Sequence, residues 1–449
     1  MATTSADAAA AHRWGEQTQR AIENFPVSGE RIPQAMIEAL AMIKAECAIV
    51  NGELGVVPMP IVEAIRQAAD EVVSGEMADQ FPVDVFQTGS GTSTNMNMNE
   101  VIAHRAAELL GEHVHPNDHV NASQSSNDTF PSAARVAAVL QLTTCLLPAL
   151  DSLRVSLLDL SIRHADTVKM ARTHLMDAVP MTFGQEVGGW GRAIELSSQR
   201  IMATLPRLAE LPLGGTAVGT GLNAPDGFGS LVAARLSART GFTFTEAQDH
   251  FEAQSSQDVI TEAAAMLKVV ALALHKVAGD LRLLGSGPNG GLGEIRLPTL
   301  QAGSSIMPGK VNPVIPEMVQ QVAAQVVGND ATVTFAATLS TLQINTAMPV
   351  AARSLLSSIH LLANATALLD SRCIRGVEVD EGRMRRTAER SPAIITALAP
   401  RIGYDAATKL VHQAEDRGVS LAELIDELPD GSAARSVVGA LLAMARPHD

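Results

Sequence analysis

The chain contains long apolar runs with helical spacing, and these runs constrain the fold more than any other feature of the sequence. The longest run covers residues 133–164, which exceeds the length of an ordinary globular helix. Pro148 within it predicts a kink rather than an end. Its apolar residues recur at steps of three and four, as on one helical face: Val139, Leu142, Leu146, Leu150, Leu153, Leu157 and Leu160. Similar runs cover residues 184–208, 257–284 and 316–338.

Several of these runs are apolar on nearly every side, which is typical of helices inside a bundle. Aromatic residues make up only 3% of the chain, and this composition favours closely packed helices over a β-sandwich. We therefore predict a mostly α-helical chain with a central bundle of long helices at residues 128–345. A mixed, mainly helical N-terminal domain (1–127) precedes the bundle, and a small helical C-terminal domain (346–449) follows it.

A single chain is too short to cover all the apolar surface of helices this long. We therefore hypothesise that the chain oligomerises through the bundle. A monomeric mass in sedimentation would remove this hypothesis. The net charge of −15 argues against a nucleic-acid surface. The longest charge-free apolar stretch, 136–150, is shorter than a membrane span, and the first residues lack the apolar core of a secretory signal. We expect a soluble, cytoplasmic protein without nucleic-acid or membrane partners.

The three cysteines lie far apart and show no CxxC spacing. This pattern indicates buried thiols in a reducing compartment. The residues concerned are Cys47, Cys145 and Cys373.

Four polar, glycine-rich segments interrupt the helical pattern. They cover residues 86–100, 115–131, 171–180 and 302–313. Ser, Thr, Asn and Gly are poor in helix interiors and cluster where the backbone presents hydrogen-bond donors. Each segment adjoins a long helix, so a bundle brings such segments together. Hydroxyl and amide side chains beside helix N-termini suit a small carboxylate.

Two glycine-rich segments resemble nucleotide-binding motifs, but neither fits. In the last polar segment, five residues separate Gly303 from Gly309, and Val311 follows Lys310. A phosphate-binding loop requires four intervening residues and a Ser or Thr after the lysine. The GSGPNG sequence at 285–290 follows a helical pattern rather than a strand, which favours a turn over a dinucleotide site.

Histidines occur in two of the polar segments. His113, His115, Asp118 and His119 lie close in sequence, but no second ligand cluster accompanies them. A structural role is therefore favoured over a metal site. Taken alone, His174 is also more often a structural histidine than a catalyst.

Taken together, the polar segments resemble a known family. GSSIMPGKVNP (303–313) resembles the signature of the fumarase/aspartase superfamily, and the other three segments are similar to its remaining conserved blocks in the same order. Thr173-His174 resembles the class II fumarases, because aspartases usually carry Thr-Gln there. The likeness extends from about residue 14 to about residue 424, and four further blocks carry it: WGEQTQRAIENFPVSG (14–29), GGTAVGTGLN (214–223), SGPNGGLGEIRLP (286–298) and SPAIITALAPRIGYD (391–405).

The resemblance implies a three-domain, mostly helical protomer whose central bundle assembles into a homotetramer. Active sites in this family form from segments of three subunits. The implied reaction is the reversible hydration of fumarate to L-malate, a step of the tricarboxylic acid cycle, with a small dicarboxylate substrate and without a cofactor or metal.

The resemblance also implies four catalytic residues, Ser304, His174, Lys310 and Glu317, and a substrate-binding role for Asn312. Ser304 removes the proton, and backbone N–H groups and Lys310 stabilise its alkoxide. Lys310 and Asn312 hold the carboxylate that becomes the aci form. His174, polarised by Glu317, acts through a water as the acid that helps hydroxide leave.

Further residues are implied to bind substrate carboxylates. Those of the main site are Ser90, Thr92, Ser125, Ser126, Asn127 and Thr173. Those of a second carboxylate site near the entrance are His115, Asn117 and Asp118, for which a purely structural role stays equally open.

The sequence departs from the fumarase pattern near its N-terminus, at residues 187–190 and, most of all, at residues 338–346. Residues 338–346 read TLSTLQINT, and Leu342-Gln343 is closer to aspartase. An aspartate ammonia-lyase, or a lyase for another C4 dicarboxylate, is therefore the alternative, and His174 speaks against the former. A catalytically silent homologue has no need of Ser304 and His174 together with Lys310, Asn312 and Glu317.

Overall fold

A computed structural model describes residues 12–303, 306–391, 395–396, 399–419, 421–426 and 439. The described chain is mostly α-helical, which confirms the predicted fold class. The helices are α1 Glu16–Asn24, α2 Gln34–Glu53, α3 Met59–Val73, α4 Thr92–Leu110, α5 Ser126–Gln141, α6 Leu147–Arg163, α7 Phe183–Leu208, α8 Phe228–Thr240, α9 His250–Ser255, α10 Asp258–Leu284, α11 Val314–Ala337, α12 Met348–Arg372, α13 Glu381–Arg390, α14 Ala399–Ile402, α15 Tyr404–Arg417 and α16 Leu421–Asp426.

All four long apolar runs form helices at the predicted places. The run at 133–164 corresponds to α5 and α6, which are joined by a π-helical turn at Leu142–Leu146. This turn comes directly before Pro148, whose missing N–H breaks the regular hydrogen-bond ladder without ending the helix. The other three runs form α7, α10 and α11, and α12 is a further long helix.

The described strands are short and form two-stranded pairs. The longest pair is an antiparallel hairpin of β1 (Val168–Thr173) and β2 (Met176–Thr182), with an irregularity in register between Met170 and Arg172. The remaining pairs are β3 (Glu210–Leu211) with β4 (Thr245–Glu246), β5 (Ile295–Arg296) with β8 (Glu378–Val379), and β6 (Ser340–Thr341) with β7 (Ile344–Asn345).

The chain divides into two compact units, each assembled from separate stretches. The first contains Met1–Leu147, Gln199–Val269 and Ala324–Leu362, and the second contains Pro148–Ser198, Val270–Ala323 and Ala363–Asp449. The three-domain division made from the sequence stays a prediction.

In the first unit, α2 packs against α3, α5 and α8 and is buried over most of its length. A helix in that position must satisfy any polar side chain it carries, because an unpaired buried polar group costs about 1–3 kcal/mol. Glu46 does so by pairing with Arg235 and Arg239 of α8. Lys44 and Asn51 do so through the segment before α5.

In the second unit, the β1–β2 hairpin packs against α13 and stands on a buried group of charges. The Lys169 ammonium lies 2.6 Å from Glu186 and 2.9 Å from Glu294. Arg172 approaches the other oxygen of Glu294 at 2.7 Å. Lys169 and Glu294 are both fully buried, so each compensates the charge of the other.

Two expectations about exposure need comment. The helical run Ser126–Arg163 is long and apolar enough to cross a membrane, but the leucines of its inward-facing seam are buried within the protein: Leu142, Leu146, Leu150, Leu153, Leu157 and Leu160. Cys47 and Cys373 are buried as predicted. The prediction was wrong for Cys145, which is exposed, because it lies on the outer side of the π-helical turn whereas Leu142 and Leu146 face inward.

Candidate active site

Two helix N-termini meet in the first unit through the side chains of their first residues. Thr92 begins α4, Ser126 begins α5, and their hydroxyl oxygens lie 2.8 Å apart. The Ser90 hydroxyl extends this chain by a 3.0 Å contact with Thr92. Three residues predicted to bind carboxylate therefore form one continuous row of hydroxyl groups.

Gly91 allows the chain to make this approach. Its φ of +74° lies in the left-handed region that favours glycine. A Cβ atom at this position would lie 2.2 Å from the ring of Phe130 in α5. Any side chain would therefore push the start of α4 away from α5.

The N-terminus of α5 is held by a reciprocal cap. The Ser125 hydroxyl accepts from the Asn127 amide, and the Asp128 carboxylate accepts from the Ser125 amide at 2.9 Å. The Asn127 side chain donates to the carbonyl of Ala217 at 2.8 Å, so it is bound to the glycine-rich segment 214–221.

Asp128 joins the same cap to that glycine-rich segment. Its second oxygen accepts from the amides of Gly214 and Thr216 at 3.1 and 2.9 Å. The side chain is fully buried, and burial raises the pKa of Asp128 to about 6, although these amides and that of Ser125 act to lower it. The carboxylate thus organises three backbone N–H groups.

This arrangement suits a small anion. Helix N-termini carry partial positive charge and N–H groups without intrahelical partners. Here α4 and α5 begin side by side, and the hydroxyl groups of Ser90, Thr92 and Ser126 lie at these two helix starts, where they are able to donate to an anion. A chain with a net charge of −15 needs such local donors to attract a dianion.

The predicted acid, His174, lies at the tip of the β1–β2 hairpin in the second unit. Thr173 and Met176 form the last pair of the hairpin, so His174 and Leu175 are its two-residue loop. Their φ values are +56° and +64°. Positive φ at both positions is the pattern of a type I′ turn, which usually contains Asn and Gly. Thr173 and His174 are both exposed.

The signature segment 302–313 closes on itself within the second unit. The Gly303 amide donates to the Lys310 carbonyl at 3.0 Å, and the Asn312 side chain donates to the Gly303 carbonyl at 2.7 Å. A Cβ atom at Gly303 would lie 2.1 Å from the Lys310 carbonyl oxygen, so this closure requires glycine. Ser304, the predicted base, lies outside the described residues.

The predicted pairing of His174 with Glu317 is not formed among the described residues. One carboxylate oxygen of Glu317 lies 3.9 Å from the Arg282 guanidinium. His174 makes no hydrogen bond to any residue that the structure describes. The pairing stays a prediction.

The residues predicted to form a second carboxylate site lie at a short π-helix, Pro116–Val120. The His115 Nδ1 atom accepts from the amides of Asn117 and Asp118 at 3.2 and 3.0 Å, and Asp118 lies 3.2 Å from that nitrogen. The imidazole therefore already occupies two of the N–H groups that an anion would use. The His119 ring accepts a hydrogen bond from the backbone amide of His115. Burial lowers the pKa of His119, and the nearby His115 and His113 lower it further, whereas Asp118 acts to raise it.

No group of three or more His, Cys, Asp or Glu side chains in the described ranges is arranged to hold a metal ion. The predicted residues thus fall into two sets, and each belongs to one unit. The set of the first unit is Ser90, Thr92, His115, Asn117, Asp118, Ser125, Ser126 and Asn127. The described set of the second unit is Thr173, His174, Lys310, Asn312 and Glu317.

Sequence reasoning missed two residues beside the first set. Asp128 is the acidic partner of a capping box, and its spacing of three from Ser125 is a recognisable signal. Lys44 is a lysine within an almost entirely apolar helix, which signals a buried charge but does not identify its partners.

Comparison with known proteins identifies the family. A family model described as lyase matches residues 5–328, which is more than half of the chain. The fold and this match show that the chain belongs to the fumarase/aspartase superfamily of lyases.

The most similar relatives include two bacterial enzymes. Fumarate hydratase class II of Corynebacterium glutamicum is 50% identical over 416 residues, covering 92% of this chain and 88% of that protein. The Mycobacterium tuberculosis enzyme of the same name is 51% identical over 402 residues, covering 89% of this chain and 85% of that protein. The crystal structure of a class II fumarase from Schistosoma mansoni matches with a TM-score of 0.94 and 36% identity, covering 98% of this chain and 96% of that one. Within the superfamily, the chain groups with the class II fumarate hydratases.

Proposed function

We propose that this chain catalyses the reversible hydration of fumarate to L-malate. The observation that carries the proposal is the row of hydroxyl groups that joins the N-termini of α4 and α5. The relatives' shared name, fumarate hydratase class II, supports the same reaction, as does the near-complete coverage of both chains.

The reaction explains why such a site is needed. Removal of a weakly acidic proton beside a carboxylate creates a dianionic aci-carboxylate, and charge that appears only then must be stabilised. Preorganised N–H and hydroxyl donors stabilise it without reorganising during the reaction. We assign this work to Lys310 and Asn312 of the signature segment.

The remaining roles follow the chemistry of each group. Ser304 is the proposed base, and His174 is the proposed acid for the departing hydroxide, polarised by Glu317. Ser125, Ser126, Asn127, Thr173, Ser90 and Thr92 are the proposed donors to the substrate carboxylates. His115, Asn117 and Asp118 form the proposed second carboxylate site. The self-closed segment 302–313 suits a lid that excludes water.

We propose that the active form is a homotetramer with sites shared between subunits. Val155, Leu158 and Ile162 are exposed on α6 at spacings of three and four, which makes one apolar stripe. At the hairpin tip, Leu175 and Met176 are exposed by 73% and 71%. Apolar side chains in these places support coverage by other subunits, which would also bring the two residue sets together. A cytoplasmic location is proposed, because cysteines without partners suit a reducing compartment.

The direct test follows fumarate by its ultraviolet absorbance, with purified protein and no added metal. L-malate, L-aspartate, fumarate and fumarate plus ammonium are offered in parallel, and Ser304→Ala is the control. We expect fumarate from L-malate alone and none with the variant, which should still assemble. Turnover of aspartate alone would instead assign the activity to an ammonia-lyase and point to the β6–β7 turn, where Leu342 and Gln343 are exposed. Near-normal turnover by the variant would overturn the assignment of the base.

A further inference from the structure

Lys44 is fully buried in the middle of α2 and reaches the segment that precedes α5. Its ammonium group donates to the side-chain oxygens of Asn121 and Gln124, each at 2.9 Å. Neither acceptor belongs to a catalytic or carboxylate-binding residue proposed above. Both lie between the π-helix Pro116–Val120 and the first residue of α5, Ser126.

Asn121 connects this lysine to a second helix. Its side-chain oxygen also accepts from Asn95 and Asn99 of α4, at 3.1 Å each. One oxygen atom therefore gathers donors from α2 and α4. This network therefore contacts α4, which begins at Thr92, and the segment that leads directly into α5.

The other half of the network fixes the backbone. The side-chain amide group of Gln124 donates to the backbone carbonyls of Val120 and Ala122 at 3.1 and 3.0 Å. Asn51, two turns after Lys44 on α2, donates to the same Ala122 carbonyl and accepts from the Ser123 hydroxyl. Ser123 has a φ of +63°, an uncommon conformation for serine that these contacts hold in place.

We infer that Lys44 is a positioning residue for substrate binding, which holds segment 120–124 so that the N-terminus of α5 presents Ser125, Ser126 and Asn127 to a carboxylate. The inference rests on the proposed binding role of those three residues. The lysine acts through Asn121 and Gln124 and does not itself contact substrate.

A lysine is well suited to this task. Its ammonium group carries only donors, and its partners here are two amide oxygens that need donors. Burial lowers the pKa of Lys44 to about 7, whereas Cys47 and Asp128 nearby act to raise it. A neutral amine still has two N–H groups, so both contacts persist in either protonation state. An apolar side chain of similar length would deprive the Gln124 side-chain oxygen of its lysine donor and would leave the Asn121 oxygen with only its two donors from α4.

The test compares Lys44→Met with Ile37→Ala, a buried apolar position two turns earlier on the same helix. Both variants should lower the melting temperature. Only Lys44→Met should raise the KM for L-malate and the inhibition constant for succinate, a dicarboxylate that cannot be dehydrated, each by about tenfold. The kcat of Lys44→Met should stay within about threefold of wild type, because the reacting groups are unchanged. Unchanged KM and inhibition constant in Lys44→Met would overturn the inference.

Two more variants keep the test decisive. Gln124→Met removes the same contact from a partly exposed position, so it tests the network if Lys44→Met fails to fold. It should raise KM similarly, and the double variant should raise KM little further, because both changes remove the contact between Lys44 and Gln124. A fully additive double variant contradicts the inference. A third variant, Ser126→Ala, separates the two proposals. An unchanged KM in Ser126→Ala refutes the binding role of α5. A raised KM in Ser126→Ala together with normal kinetics of Lys44→Met refutes only the role of Lys44.

Discussion

The hydroxyl oxygens of Thr92 and Ser126 lie 2.8 Å apart, so the first residues of α4 and α5 share a hydrogen bond. Either hydroxyl is able to donate, and whichever does not is free to point its proton elsewhere. A carboxylate placed beside the pair would receive a hydrogen bond from the hydroxyl group whose proton is free.

Thr92→Val keeps the shape of this side chain but removes its hydroxyl. We expect the KM for L-malate to rise about tenfold, since a charged acceptor loses one donor worth about 1.5 kcal/mol. Steady-state kinetics measure the change. Thr240→Val, which removes a hydroxyl bonded within α8, is the control and should leave KM unaltered. Equal KM in both variants would contradict a binding role for Thr92.

Replacement of His174 by Asn removes the proposed acid. We expect kcat to fall by about 100-fold or more, which is the usual contribution of a general acid, while the inhibition constant for succinate changes little. His412→Asn, at an exposed position of α15, is the matched control. An effect of His174→Asn confined to affinity would argue for a binding role instead.

Gly91→Ala and Gly111→Ala change two glycines that flank the same helix, α4, with φ values of +74° and +75°. Both variants incur the left-handed backbone cost of about 1–2 kcal/mol. Only at Gly91 does the new methyl group also meet the Phe130 ring, whereas nothing lies within 4 Å of it at Gly111. Denaturant unfolding should therefore show a clearly larger loss of unfolding free energy for Gly91→Ala, and this variant should also have a raised KM. Equal losses would show that the approach to Phe130 has no energetic importance.

Glu294→Gln removes the carboxylate beneath the His174 hairpin. Lys169 would keep only Glu186, and Arg172 would lose its partner. The oxygens of Glu294 lie close to both cations without hydrogen-bond geometry, so its contribution here is mainly charge. We expect a loss of about 3–5 kcal/mol in unfolding free energy, as for other broken buried pairs. Glu262→Gln, which breaks the exposed pair with Arg207, should cost less than about 1 kcal/mol. Similar losses of unfolding free energy in Glu294→Gln and Glu262→Gln would show that burial does not strengthen the Glu294 pairs.

Lys44 should make stability depend on pH. Its folded pKa, about 7, lies below the ordinary value of 10.5, because burial disfavours the charge. Between these values the unfolded chain holds a proton that the folded chain has released, so the free energy of unfolding rises with pH. Below about pH 7 the lysine is charged in both states and contributes no slope. In thermal unfolding, the stability of the wild type relative to Lys44→Met should increase from about pH 7 to about pH 9.5. A constant difference would contradict the lowered pKa.

The helical framework was predictable because its signal is local. Leu142, Leu150 and Leu160, like the other leucines of the same helical face, repeat with the helical period, and their burial follows from that period whatever the partner. The polar segments were also recognisable, since Ser125 and Thr92 stand where helices begin.

The contacts of Lys44 and Asp128 were not predictable in the same way. Lys44 lies 77 residues before Asn121, and Asp128 lies 86 residues before Gly214. Such pairs depend on how helices pack and leave no periodic trace in the sequence. The exposure of Cys145 escaped prediction for a related reason, because one π-helical turn rotates the residues within it away from the regular pattern.

The two-residue loop at His174 and Leu175 leaves this part of the chain no freedom in length. Insertion of a single residue would change the turn type and slide β2 against β1 by one position, which sends every later side chain of that strand to the opposite face. Substitutions at the tip alter one side chain, whereas insertions there would rearrange the whole hairpin. Homologous hairpins that keep a histidine here should therefore vary in composition but not in length.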